Sequence, residues 1–217
     1  MGIVHHPSEA WLLDYALGNL NAPFETVLRA HVGVCAQCRK SIEFAERLGG
    51  ELLHALPAAA APGGAREICD EYEQGHGGVS AVSRAHGLGA NDDIEQFVQV
   101  YLNSSLDALP WRQIGRGLRL CRLSEQDGAR MWMLRGQPGT VLPVHGHAGS
   151  ELTLVLKGAY FCGSEIFRAG DIEDADETTE HRPVITRDGE CVCLAVTEGR
   201  LHFRELAPRL VQPFVGI

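Results

Sequence analysis

Residues 139–158 read GTVLPVHGHAGSELTLVLKG, and this stretch decides what the second half of the chain is. His145 and His147 stand two apart. On a β-strand that spacing points both side chains to one face, and in a barrel that face can be the interior. Glu151 then opens a returning strand, with Thr153 and Val155 on its side. Two imidazoles and a carboxylate converging inside a barrel are metal donors. The plainer reading makes the histidines exposed loop residues and Glu151 an ordinary polar start to a strand.

Outward from this stretch, the period of the pattern is two. RGLRLCRL, ARMWMLR, TVLPVHGH, ELTLVLKGAYF, CVCLAVT and LHFREL are short runs rich in β-formers, separated by Gly, Asp and Pro. Such spacing predicts a sandwich or barrel. From about Pro110 onward the chain reads as all-β, with no helical crossover and no repeat.

Gly139, His145, His147, Glu151 and Gly158 stand at the offsets of the first cupin motif, which this stretch resembles. The resemblance implies a fourth ligand from a later strand. GDIEDADETTEHRPVI matches the second motif, placing His181 eleven residues after Gly170. Asp176, Thr178 and Ile185 replace that motif's usual Pro, Gly and Asn. Three imidazoles and a carboxylate suit Zn, Mn, Fe or Ni, and the ligand set does not choose among them.

Three smaller features lie nearby. Cys191 and Cys193 share a strand face; they read as buried filler, or as thiols able to approach the barrel metal or be oxidised. The six carboxylates between Asp171 and Glu180 read as a solvated loop or as a steering surface for a basic partner. The apolar tail PRLVQPFVGI reads as closing the sheet.

The first 56 residues have a helical period instead. In SEAWLLDYALG, Ser8 can cap, Trp11, Leu12, Tyr15 and Ala16 share a face, and Gly18 stops the helix. In NAPFETVLRAHVG, Asn21 can cap, Pro23 sits in the first turn and Gly33 ends the helix. A third helix, AQCRKSIEFAERLGGELLHAL, repeats Ile42, Ala45, Leu48, Leu52 and Leu56, and its Gly49-Gly50 pair weakens it midway. PAAAAPGG at 57–64 reads as a linker. AREICDEYEQ and DDIEQFVQVYLNSSL are candidate further helices, the second packing Ile94, Phe97, Val98 and Tyr101.

Helices this short bury little, and a domain this small needs a staple. HVGVCAQC (31–38) offers one. His31 and Cys35 share a face across a helix end, and Cys38 follows at the spacing that lets two thiolates reach one ion. One more ligand, from His5 or His6, would complete a zinc tetrahedron. For structural zinc the coupling to folding is about 10 kcal/mol or more. The alternatives are two buried thiols with a surface histidine, or a redox C-x2-C, whose usual βαβ setting is missing.

Composition narrows the function. The chain has 217 residues, 45% of them hydrophobic, which suits one large or two small domains. No run approaches the roughly 18 apolar residues of a membrane span, and the start MGIVHHPSEAW is not a secretory signal. Seven cysteines without an export signal argue for reduced thiols and a cytoplasmic protein. A net charge of −9 argues against gripping nucleic acid and suits a basic partner.

His6 with the H-x3-C-x2-C of His31, Cys35 and Cys38 resembles the zinc-containing anti-sigma domain of bacteria, whose pattern selects His6 over His5. Followed by a single cupin, the chain resembles the ChrR-type anti-sigma factors over nearly its whole length. The resemblance implies an α+β chain of two domains: a small zinc-bound helical bundle at 1–75, a linker with a short helix at 76–108, and an all-β cupin barrel at 109–217. It implies a first zinc on His6, His31, Cys35 and Cys38, and a second metal on His145, His147, Glu151 and His181. It further implies inhibition of an extracytoplasmic-function sigma factor by the helical domain, with the cupin needed for release under oxidative stress, notably singlet oxygen. The sigma-facing surface is expected around Trp11, Leu12 and Tyr15. No catalytic residue is expected; the competing reading is a cupin metalloenzyme, a dioxygenase or isomerase, with an accessory zinc domain, and a metal or small-molecule sensor whose ligand enters the cupin pocket is a third. The oligomeric state stays open, a cupin-mediated homodimer included.

Overall fold

The computed structural model describes residues 2–57, 99 and 102–204. The linker expected at 57–64, the helices expected in AREICDEYEQ and DDIEQFVQVYLNSSL, and the tail PRLVQPFVGI lie wholly or largely outside the described residues.

Three helices come first: α1 (Glu9–Leu17), α2 (Ala22–Val34) and α3 (Ala36–Ala55). Gly18 takes the left-handed conformation that ends α1, as expected. Asn21 caps α2 by accepting from the Phe24 amide at 3.2 Å. Two expectations shift. Gly33 lies inside α2, and the break falls at Cys35, which ends α2 and also caps α3 through its sulfur. Gly49 and Gly50 do not interrupt α3, which runs through them although each glycine costs roughly 1 kcal/mol relative to alanine.

After a single 3-10 turn, Leu106–Ala108, the rest of the described chain is β. Its strands are β1 (Arg112–Gly115), β2 (Leu118–Gln126), β3 (Ala129–Gly136), β4 (His145–His147), β5 (Glu151–Lys157) and β6 (Ala159–Cys162). They continue as β7 (Glu165–Arg168), β8 (Ile172–Ala175), β9 (Glu180–His181), β10 (Val184–Ile185), β11 (Cys191–Glu198) and β12 (Leu201–Phe203). A six-stranded antiparallel sheet runs β1-β2-β3-β11-β5-β8, against two three-stranded sheets, β10-β6-β7 and β12-β4-β9. This is a cupin-like sandwich behind N-terminal helices, the α+β architecture expected.

Both faces of the large sheet are covered. One face presents Leu120, Trp132, Leu134, Cys193 and Ala195 to a cavity of about 440 Å³ between the sheets. The other presents Met131, Met133, Leu152, Leu154, Ile172, Leu194 and Val196 to α2, which buries Phe24, Val27, Leu28 and Ala30 against it. The alternation of period two therefore sorts each strand between cavity and helix. Helices and sheet share one apolar core, a partner for α2 that its own amphipathic pattern does not name.

Gly158 makes the tight β5–β6 turn with φ +73°, and a Cβ there would meet the Glu190 carbonyl oxygen at 2.2 Å. No helix among the described residues is long and apolar enough to cross a membrane.

Candidate metal centres

The first cluster forms where α2 turns into α3. His31 is fully buried in the last turn of α2, Cys35 occupies the corner and Cys38 lies in the first turn of α3. His6 arrives from the extended arm before α1. Its Nδ1 lies 3.4 Å from the sulfurs of both Cys35 and Cys38, while His31 Nε2 lies 3.2 Å from Cys38 Sγ. Zinc bonds of about 2.0–2.3 Å give a tetrahedron with edges of roughly 3.3–3.8 Å, so the separations suit such an ion. His5 turns away and packs on Phe167, ring centroids 4.2 Å apart.

The chemistry of these donors also fits. His31 Nδ1 donates to the Gly170 carbonyl at 2.9 Å, which leaves the lone pair on Nε2, facing the sulfurs. Burial lowers the His31 ring to about 4, so it is neutral at ordinary pH, as a ligand must be. Burial and the neighbouring Cys35 push the Cys38 thiol up to about 12, so it keeps its proton until a cation displaces it.

The second cluster brings together His145 and His147 of β4, Glu151 at the start of β5 and His181 at the end of β9. All four are buried, and one ligand atom from each lies within 4.8 Å of every other. Strands β4 and β9 are neighbours with His145 opposite His181, which is how residues 36 apart in sequence meet. His145 Nδ1 donates to the Pro143 carbonyl at 2.9 Å, and His181 Nδ1 faces Glu173 Oε1 at 2.8 Å. Both rings therefore turn Nε2 inward. The two Nε2 atoms stand 2.9 Å apart, with His147 Nε2 3.2 Å from that of His181.

Two inward lone pairs cannot face each other at that distance without a positive charge between them. Burial would lower His181, but Glu173 outweighs it and holds the ring above its ordinary value. Burial together with His181 holds His145 below its own. Glu151 completes the set: burial alone would raise its carboxyl, yet the surrounding histidines, His147 first, keep it low. Among the described residues the buried His147 Nδ1 has no hydrogen-bond partner, and it lies 3.4 Å from Glu151 Oε2. The residues fit a divalent cation.

Two expectations are corrected here. The acidic stretch at 171–180 is solvated only in part: Asp174, Asp176, Glu177 and Glu180 are exposed, whereas Asp171 and Glu173 are buried. Asp171 Oδ1 accepts from the Val4 and His5 amides at 2.8 and 3.1 Å, and Asp174 accepts from the Ser8 amide and the Trp11 indole, each at 3.0 Å. Composition could not say so, because these acceptors meet donors some 165 residues away. The surface expected around Trp11, Leu12 and Tyr15 is turned inward in part, with Leu12 buried and Trp11 and Tyr15 half-buried. Trp11 stacks on Phe24, Leu12 is buried, and Tyr15 packs against the same cores.

Glu173, Cys162 and Tyr160 were not among the candidates. With His181, Cys162 and Glu173 form a third group of possible ligands. Only the alternation of β8 hints that Glu173 faces the cavity. Cys191 and Cys193 share a face, with sulfurs 3.6 Å apart, and Cys193 reaches the cavity wall.

Comparison with known proteins agrees with this architecture. Residues 102–201 match the ChrR Cupin-like domain family. The chain is 35% identical over 219 residues to the anti-sigma-E factor ChrR of Cereibacter sphaeroides, covering all of both proteins. A chain from the crystal structure of Rhodobacter sphaeroides SigE in complex with the anti-sigma ChrR superposes with a TM-score of 0.73 at 33% identity, covering 90% of this chain and 99% of that one. With a full-length relative at this identity, the chain belongs to the ChrR family of anti-sigma factors.

Proposed function

We propose that this protein is a cytoplasmic anti-sigma factor that holds an extracytoplasmic-function sigma factor through its helices and releases it when oxidative stress acts on the cupin. The observation that carries this reading is the pairing of a buried Cys2His2 cluster in the helices with a separate His3Glu cluster in the sandwich. Family membership places the chain among regulators rather than enzymes. The working units are residues 1–75 and 109–217, joined by 76–108.

Zinc suits the first cluster because thiolate and imidazole donors in tetrahedral array favour it; Zn, Mn, Fe or Ni suits the second. When bound, the first ion supplies a cross-link that fixes the corner between α2 and α3. The chain's own part is to present α3. Phe44, Leu48, Leu52, Leu53 and Leu56 are each more than half exposed among the described residues, and Leu13 and Leu17 of α1 are exposed as well. Singly exposed apolar residues are ordinary, but a row of them along one helix marks a docking face. The occupant proposed is a sigma factor, the class of partner with which a relative was crystallised. The net charge of −9 favours a basic partner.

Transcription by the partner sigma factor tests the division of labour. Cys35→Ala should abolish inhibition, whereas His145→Ala should leave inhibition intact and abolish release. If both variants hold and release the sigma factor like the parent, the proposal fails.

A further inference from the structure

We infer that strand β8 and the turn before it act as a lever coupling the two clusters, because within five consecutive residues Gly170 holds a ligand of the helical cluster, Glu173 holds a ligand of the barrel cluster, and the rest grip the arm around His6 and the start of α1. The inference rests on reading both clusters as metal sites.

Each residue from 170 to 174 has a distinct attachment. The Gly170 carbonyl holds the His31 ring, and Asp171 holds the amides of Val4 and His5, next to His6. The Ile172 amide donates to the His5 carbonyl at 3.2 Å. Glu173 points the other way, to His181 at 2.8 Å, and accepts from the Tyr160 hydroxyl at 2.5 Å. Asp174 returns to the helical side and takes Ser8 and Trp11. Ala175 pairs with Glu151, a ligand of the second cluster.

The alternation of a strand makes this a mechanical link. Neighbouring side chains project to opposite faces from one stiff backbone, so Glu173 cannot follow His181 without carrying Ile172 and Asp174 along. Slack is small on the helical side: Gly170 has φ +93°, and a Cβ there would meet Ile3 Cγ1 at 2.7 Å. His6 and His181, one ligand from each cluster, also line the same groove, together with residues 172–174.

Hydrogen bonds to a ligand's far atom orient it, and losing one costs about 10–100-fold in metal affinity. Here those bonds come from the sandwich for both clusters. Any change of occupancy in the barrel that shifts His181 therefore alters how firmly the helical cluster holds its ion, and the reverse holds by linkage.

The test uses the full chain loaded with cobalt(II). Read in a Cys162→Ser background, so that the third group supplies no thiolate beside His181, the thiolate-to-cobalt absorption band reports the helical cluster alone. Its decay is followed under a competing chelator, with amide exchange at Val4 and His5 as a second readout. Glu173→Gln, which touches no ligand of the helical cluster, should speed loss of the band about 10-fold and speed exchange at both amides. Asp171→Asn should do the same from the other end. Glu165→Gln, in the same groove but off the lever, should change neither. If Glu173→Gln does not fold, Tyr160→Phe should reproduce the direction with a smaller factor. Decay at the parental rate in folded Glu173 and Asp171 variants overturns the lever while leaving the metal sites standing. Absence of the band in the parent chain overturns the metal reading and the lever together.

Discussion

The indole of Trp11 lies flat on the ring of Phe24, centroids 4.8 Å apart and planes within 9°, while its N–H reaches Asp174 Oδ1 at 3.0 Å. One side chain thus ties α1 to α2 by stacking and to β8 by a hydrogen bond. Trp11→Ala removes an aromatic pair worth about 0.5–1.5 kcal/mol and a bond to a carboxylate worth about 1.5–3 kcal/mol. The expected loss is about 2–3 kcal/mol in denaturant unfolding, with sigma binding retained at temperatures where the variant is folded. Lost binding at full stability would return Trp11 to the sigma-facing surface.

Leu52 makes the opposite case. Its side chain is 62% exposed on the outer face of α3, so Leu52→Asp should alter stability by no more than about 0.5 kcal/mol. On the proposed docking face it should weaken sigma binding by about 10-fold or more, the effect of truncating a well-packed interface residue. Unchanged affinity by titration calorimetry would move the interface elsewhere.

Ion uptake by the helical cluster should depend on pH in one direction. His31, lowered to about 4, is neutral through the neutral range, but the Cys38 thiol at about 12 must give up its proton to bind. Affinity should therefore fall with falling pH, about tenfold per unit for each proton displaced. Zinc competition at several pH values between 6 and 8 measures this, and a flat profile would contradict ligation by Cys38.

Much of the site was legible because its information is local. The H-x-H pair, Glu151 and the H-x3-C-x2-C run are spaced by strand and helix periods, and those periods survive folding unchanged. What was not legible depends on partners distant in the chain. The apolar face of α2 announces burial but not burial against Met133 and Leu194. The choice between His5 and His6 is made by Phe167, which takes His5 and leaves His6 to the sulfurs. Asp171 looks solvated until the amides of Val4 and His5 are laid across it. Glu173 is hidden for the same reason, since its value to His181 comes from the meeting of β8 and β9.

Everything proposed rests on two ion cages, and counting ions tests that most directly. Elemental analysis of the folded, purified chain should find two metal ions per protein. Cys35→Ala should remove zinc alone, and His145→Ala should remove the barrel ion alone. Folded protein with neither ion would contradict the account.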